Sequence, residues 1–323
     1  MKSLRMIVIG MLAPTIVSGC ELSSSNDNDN VNESETQQDL LDGTIDTHHT
    51  FDVGICAGGL VAPDQPNPGT CVAVRCSGTL IAPNVVLTAR HCVRGHVDAP
   101  AFCDGHFTDD PLSPNPIVVT TSPTVASGTP IWYDVDRVEV PSTNGLCSDD
   151  VAILVLKNDV PRHEARPVGI SLHRDIAKQQ PREVAIVGRG VLATNLFTGT
   201  SDTGGLQRRI RTHIPFDCAV DNPAISCQVV DFSSPPSNVF AAPPSYYITD
   251  SAIAAGDSGA GVFDQAQFGH DRFSVIGVAA AGTFAEDGSL NFGLVSRIDT
   301  HADFIRKTLH GCDGADLIDT DAE

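Results

Sequence analysis

From about residue 70 the chain is a succession of short apolar runs broken by Gly, Pro and Asn, and this pattern limits the fold more than any other feature. "SGTLIAPNVVLTA" reads as two strands turning at Pro83-Asn84, and "DVAILVL" is a continuous apolar run suited to a barrel wall. "EVAIVGRG", "FSVIGVAAAG" and "NFGLVSRI" read in the same way. Helical periodicity is clear only in "HADFIRKTL" near the end. Many short strands with turn signals predict an all-β sandwich or barrel.

Three segments carry chemistry. "LTARHC" puts His91 just after a strand, "SDDVAIL" puts Asp150 at the entrance of a buried strand, and "AAGDSGAG" puts Ser258 in a glycine turn. Taken alone, the last string is equally an ordinary tight turn. The order His, Asp, Ser is that of chymotrypsin-type enzymes; α/β-hydrolases run Ser, Asp, His. A nucleophile elbow would also need glycine where Ala260 stands.

With these residues the chain resembles the trypsin/chymotrypsin family of serine peptidases over about residues 70–310. "CSGTLIAPNVVLTARHC" is similar to the family's stretch from a half-cystine to the base. "AIVGRG" resembles the strand ending in Gly-x-Gly, and "LQRRIRTHIPFDC" the strand after it. "NFGLVSRIDTHADFI" resembles the closing strand and C-terminal helix. The resemblance implies two six-stranded antiparallel β-barrels with a C-terminal helix, and a serine endopeptidase working through an acyl-enzyme. His91 would be the base, Asp150 its orienting acid and Ser258 the nucleophile, with the N–H groups of Gly256 and Ser258 as the oxyanion hole. The alternative is an inactive binding module that keeps the fold. No cofactor or metal is implied. "HCVRGHVDAPAFCDGH" could pass for a metal site, but Cys92 has a better use in a disulfide.

The resemblance also implies a Cys76–Cys92 bridge beside the base. Cys218–Cys227 follows from proximity and from the family's loop before the nucleophile. The usual half-cystine four residues before the serine is Ala254 here. Pairing of Cys56, Cys71, Cys103, Cys147 and Cys312 stays open. By the same resemblance, the pocket for the side chain before the scissile bond has Ala252 and Ile253 at its floor and Ala280, Ala281, Gly282, Gly293 and Val295 in its walls. No carboxylate stands at that floor, so apolar side chains are expected there; Asp250 would have to shift to reach it.

Several positions depart from the family. Ala260 and Gly261 replace Gly and Pro. Arg90 replaces a small residue before the base, which predicts a charge on the edge of the site. Ala280 replaces the serine that bonds the triad aspartate, so Asp150 needs another donor. Activation in the family frees an amine by a cut after a basic residue, and that amine pairs with the Asp before the nucleophile, here Asp257. No Lys or Arg lies between Arg5 and Arg75. Either Asp257 has another partner or a non-tryptic cut falls near "HHTFDVG".

The start of the chain reads as a targeting segment. Lys2 and Arg5 precede "MIVIGMLAPTIV", too short to span a bilayer, and "VSGC" ends at Cys20. This is similar to a bacterial lipoprotein signal over residues 1–19, with Cys20 acylated; Glu21 leans towards the outer membrane. Residues 20–49 read as an acidic tether, 50–312 as the peptidase domain and 313–323 as an acidic tail. Ten cysteines in an exported chain imply an oxidising compartment, periplasmic or extracellular. With Cys20 set aside, nine remain, an odd number. Lys plus Arg number 20 against 40 Asp plus Glu, a formal charge of −20. That argues against nucleic acid, whose affinity depends on basic side chains, and against anionic lipid. Protein or peptide substrates and a monomer are expected, with membrane contact only through Cys20. The segment between Cys92 and Cys147 reads as an insertion rich in Pro, Ser and Thr. Asp98, Asp104, Asp109 and Asp110 in it suit a solvated loop better than a calcium site. His48, His49, His96 and His106 read as surface residues.

Overall fold

The computed structural model describes residues 43–310 except 66–67, 72–73, 98–101, 113–115, 125–129, 191–192, 196–199, 203–206, 220–226, 232–237, 242–245, 250–252 and 285–289. The signal segment, Cys20, Ala252, Asp250, Asp98, Cys312 and the acidic tail lie outside the described residues.

Two closed six-stranded antiparallel barrels form the protein. The first runs Asp52–Cys56, Val74–Ala82, Val85–Thr88, Ala152–Leu156, Trp132–Glu139 and Val118–Thr120, which returns to pair with Asp52–Cys56. The apolar run of Ala152–Leu156 is buried throughout, as a wall packed on both faces requires. The second barrel runs Arg209–Ala219, Glu183–Gly188, Gly261–Asp264, Ser274–Phe284, Leu290–Arg297 and Tyr246–Thr249; pairing of the last with Arg209–Ala219 closes it. Closure leaves neither barrel an open edge. The helix Ala302–His310 buries Ala302, Ile305 and Leu309, its apolar stripe.

The segment between Cys92 and Cys147 is not simply an insertion. It supplies two strands of the first barrel, Val118–Thr120 and Trp132–Glu139, and a hairpin of Arg94–Val97 with His106–Pro111. Pro and Ser/Thr content hid these strands because the apolar alternation within each is short. The folded part also begins earlier than residue 50. Thr44–Ile45 pairs with Arg209 and Ile210, and Asp46 is buried with its carboxylate on the N–H groups of His48 and His49. His48, His96 and His106 are exposed, but His49 packs between Asp46 and the rings of Phe51, Phe268 and Phe273.

Four disulfides lie among the described residues: Cys56–Cys71, Cys76–Cys92, Cys103–Cys147 and Cys218–Cys227. Cys103–Cys147 ties the hairpin region to the loop that leads to Asp150.

The barrels are locked by a buried charge. Arg189, at the end of a second-barrel strand, is fully buried and donates from Nε to Asp52 Oδ2 of the first barrel at 2.7 Å. Its Nη2 and Nη1 donate to the carbonyls of Asp52 and Ser122 respectively. Removing one partner of such a pair strands the other charge in the interior. Arg189→Met is expected to cost about 3–5 kcal/mol, and Arg189→Met with Asp52→Asn distinctly less; denaturant unfolding of the three proteins checks this.

Candidate active site

His91 lies in the short 3-10 turn Arg90–Cys92, which follows Val85–Thr88 directly. Asp150 sits just before Ala152–Leu156, the strand that pairs with Val85–Thr88. That pairing brings the two together. Asp150 Oδ2 is 2.9 Å from His91 Nδ1, and Asp150 Oδ1 accepts the His91 backbone N–H at 2.9 Å. Asp150 is buried and His91 half-buried. A carboxylate accepts only, so the Nδ1 partner is an N–H and the neutral ring keeps Nε2 as its basic nitrogen. Burial pulls the His91 pKa down, but the charge and hydrogen bond of Asp150 outweigh it, and the net movement is upward from 6.5.

Ser258 comes from the second barrel. Its turn starts with the Asp257 N–H on the Ala254 carbonyl and continues with the Ala260 N–H on the Asp257 carbonyl. Gly256 and Gly259 hold φ of +100° and +88°, a region costly for side chains. Ala260 is not among the positive-φ residues, which is why a methyl is tolerated there; it is buried in the barrel core. The N–H groups of Asp257, Gly259 and Ala260 are bonded to backbone carbonyls. Those of Gly256 and Ser258 have no acceptor among the described residues.

Ser77, on the first-barrel strand Val74–Ala82, fixes this turn across the barrel junction. Its N–H donates to the Ser258 carbonyl at 2.8 Å, and its hydroxyl donates to the Gly256 carbonyl at 2.8 Å. The same hydroxyl accepts the Arg189 N–H at 2.9 Å, and the Thr88 hydroxyl donates to the Ser77 carbonyl at 2.9 Å. The Cys92 sulfur closes the arrangement, 3.9 Å from His91 Nε2 and 3.7 Å from the Ser258 carbonyl. Cys76, Cys92 and His91 also form a group that could hold a metal, but the two sulfurs are spent on each other.

Asp257 turns away from Ser258 and is buried. It accepts N–H groups of Gly190 at 2.7 Å and Ala254 at 3.1 Å, and meets no cation among the described residues. Burial pushes its pKa up to about 7, against the pull of the two amides.

The residues predicted for the substrate pocket fall into two groups. Ile253 and Val295 are packed in the second-barrel core with Tyr247, Ala260 and Ala279. Ala280 and Ala281 lie in a separate cluster with Tyr246, Leu294 and Cys147. A bulge between Ala279 and Ala281 separates the groups, and Gly282 pairs with Gly293 beyond it.

Arg90 is not on the edge of the site. It is buried, with Nη1 donating to the carbonyls of Thr143 at 2.6 Å and Pro141 at 3.3 Å and its guanidinium 4.8 Å from the Phe107 ring centre. The sequence reading also passed over Ser77, Arg189, Thr143 and Asp149. Ser77, Arg189 and Asp149 stand in the strings "SGTLIAPNVVLTA", "EVAIVGRG" and "SDDVAIL", but nothing in those strings marks their roles.

A double antiparallel barrel with such a junction defines the class of chymotrypsin-like folds. The family model described as Trypsin matches residues 65–305, so the chain belongs to the trypsin family of serine peptidases. Comparison with curated protein sequences finds no match.

A Cβ on Gly259 would lie 2.1 Å from both the Ser77 carbonyl oxygen and Thr88 Oγ1. Gly259→Ala is therefore expected to displace the turn and reduce kcat/KM by about a hundredfold or more, the usual result of misplacing a reacting group by about 1 Å; steady-state kinetics on folded protein check it.

Proposed function

We propose that the protein is a serine endopeptidase. His91 Nε2 takes the Ser258 hydroxyl proton as the oxygen attacks a peptide carbonyl, and the imidazolium then gives that proton to the leaving amine. The resulting acyl-enzyme is hydrolysed by water through the same base. Asp150 holds the imidazole in the tautomer this requires and stabilises its cationic form. The N–H groups of Gly256 and Ser258 receive the negative charge of the tetrahedral intermediate. The observation that carries the reading is the two-point contact of His91 with buried Asp150, beside the turn that holds Ser258. The free amides of Gly256 and Ser258 support it, because all three other N–H groups from 256 to 260 are used internally.

Export belongs to the same reading, since four disulfides suit an oxidising compartment. Acylation of Cys20 would hold the enzyme, a monomer, at the outer membrane or, after release, outside it.

A fluorophosphonate probe is expected to label wild-type protein at Ser258. Ser258→Ala and His91→Ala should each abolish labelling and turnover while leaving the fold intact, since the residues act as a unit. Failure of the wild type to label would leave the peptidase-fold binding module as the reading.

The pocket residues that are described carry no charge, and the resemblance puts the small residues Ala280, Ala281, Gly282 and Gly293 in its walls. A Lys or Arg there would be buried without a counter-charge. Cleavage after medium aliphatic or aromatic residues is expected, with modest discrimination among them, about 1–3 kcal/mol per methylene. Peptides differing only at that residue check this, and dominant cleavage after Lys or Arg would refute it.

A further inference from the structure

We propose that Arg90 and Asp149, the residues just before His91 and Asp150, form with Thr143 a bridge that sets the base against its carboxylate, which makes Arg90 a positioning residue for the reaction. The inference rests on the peptidase reading of the site.

Among the described residues, His91 alone engages the two oxygens of Asp150. Ala280, where the family's resemblance implies a serine, offers a methyl group and no donor. The position of the carboxylate must therefore come from its own loop. Arg90 Nη1 donates to the Thr143 carbonyl at 2.6 Å, and the Thr143 hydroxyl donates to Asp149 Oδ1 at 2.5 Å. Asp149 Oδ2 accepts the Gly145 N–H at 2.9 Å and the Ser148 hydroxyl at 2.7 Å, which shapes the loop up to Asp150. Arg90 is covalently followed by His91 and Asp149 by Asp150. The contacts thus close a ring: His91, Arg90, Thr143, Asp149, Asp150 and back to His91.

A buried guanidinium suits this task. Its Nη1 alone reaches two backbone carbonyls, those of Thr143 and Pro141, while the guanidinium lies over the Phe107 ring. Burial works against its charge and pulls its pKa down; Asp149, Asp109 and Asp150 oppose that pull, and Arg94 adds to it. Other contacts hold the loop from behind. The His301 ring lies between the carbonyls of Ser148 and Arg297, at 2.9 and 2.8 Å, and the Tyr246 hydroxyl reaches the Leu146 carbonyl at 3.4 Å. None of these touches both sides of the His91–Asp150 pair, whereas the Thr143 bridge does.

The test uses the whole protein and three variants. Arg90→Met keeps the aliphatic stem, Thr143→Val removes only the bridging hydroxyl, and Thr143→Ser restores it. For Arg90→Met and Thr143→Val, kcat is expected to fall about tenfold to a hundredfold with KM unchanged, and Thr143→Ser should behave as wild type. The His91 titration, followed by proton NMR of the imidazole, should move down towards 6.5 in both defective variants as Asp150 withdraws. Losing the Arg90 charge would by itself raise that midpoint, so a fall reports movement of Asp150. If Arg90→Met does not fold, Thr143→Val decides alone. Folded variants with unchanged kcat and midpoint would overturn the proposal, as would a kcat loss with no fall in the midpoint. The NMR arm needs no turnover, so it judges the bridge even if the fluorophosphonate probe fails on wild-type protein and the peptidase reading falls.

Discussion

Ser77 stands where the two barrels meet, and the site depends on its hydrogen bonds. Each barrel is closed on itself, so no sheet runs from His91 and Asp150 to Ser258. Whatever fixes their relation must act across the junction. From the first barrel the Ser77 N–H and hydroxyl hold the carbonyls on either side of Asp257, those of Ser258 and Gly256. The hydroxyl also receives the Arg189 N–H, so the same atom joins the Ser258 turn to the strand end beside it. This buried hydroxyl pairs the Gly256 carbonyl and the Arg189 N–H, and losing it would leave both backbone groups without that partner.

The Arg189–Asp52 pair reinforces that junction by a different principle. A buried ion pair adds little net stability, because desolvation offsets most of the attraction. Its geometry, however, is specific. Arg189 must present Nε to Asp52 and further N–H groups to carbonyls of residues 52 and 122, which a sliding or rotated barrel could not satisfy. Apolar packing between the barrels supplies the attraction, with Ala185, Val187 and Phe263 joined to the core of the first barrel. The polar contacts select one docking among those the apolar surface would accept.

The parts of this arrangement differ in how well the sequence announced them. Barrel strands with long apolar runs, such as Ala152–Leu156 and Ser274–Phe284, were legible because burial on both faces leaves an unbroken signature. Trp132–Glu139 was not; its acidic, half-exposed residues look like an insertion. His91, Asp150 and Ser258 could be read because each sits in a local string with a distinctive order. Ser77 and Thr143 could not, since their roles come from partners 179 and 6 residues away and hydroxyls leave no pattern of their own. Arg90 misled for a physical reason. A charge beside a catalytic residue is expected in solvent, but here backbone carbonyls and the ring of Phe107 replace water around the guanidinium.

Asp257 adds an electrostatic load to the turn it supports. Its pKa is about 7 in the folded protein against 3.8 as a free side chain, because burial outweighs the amides of Gly190 and Ala254. The folded state therefore holds its proton more tightly than the unfolded state. The stability this contributes is fully present below pH 3.8 and is lost as pH rises through about 7. In the proposed mechanism His91 makes the opposite demand, since it would accept a proton from Ser258 only when neutral, above a pKa that Asp150 has raised from 6.5 against the pull of burial. Rising pH would thus both free the proposed base and charge the buried carboxylate beside Ser258. A cation brought against Asp257 would lower its pKa and lift that load. Among the described residues, the two amides and the Ser77 hydrogen bonds hold the turn in place while the carboxylate ionises.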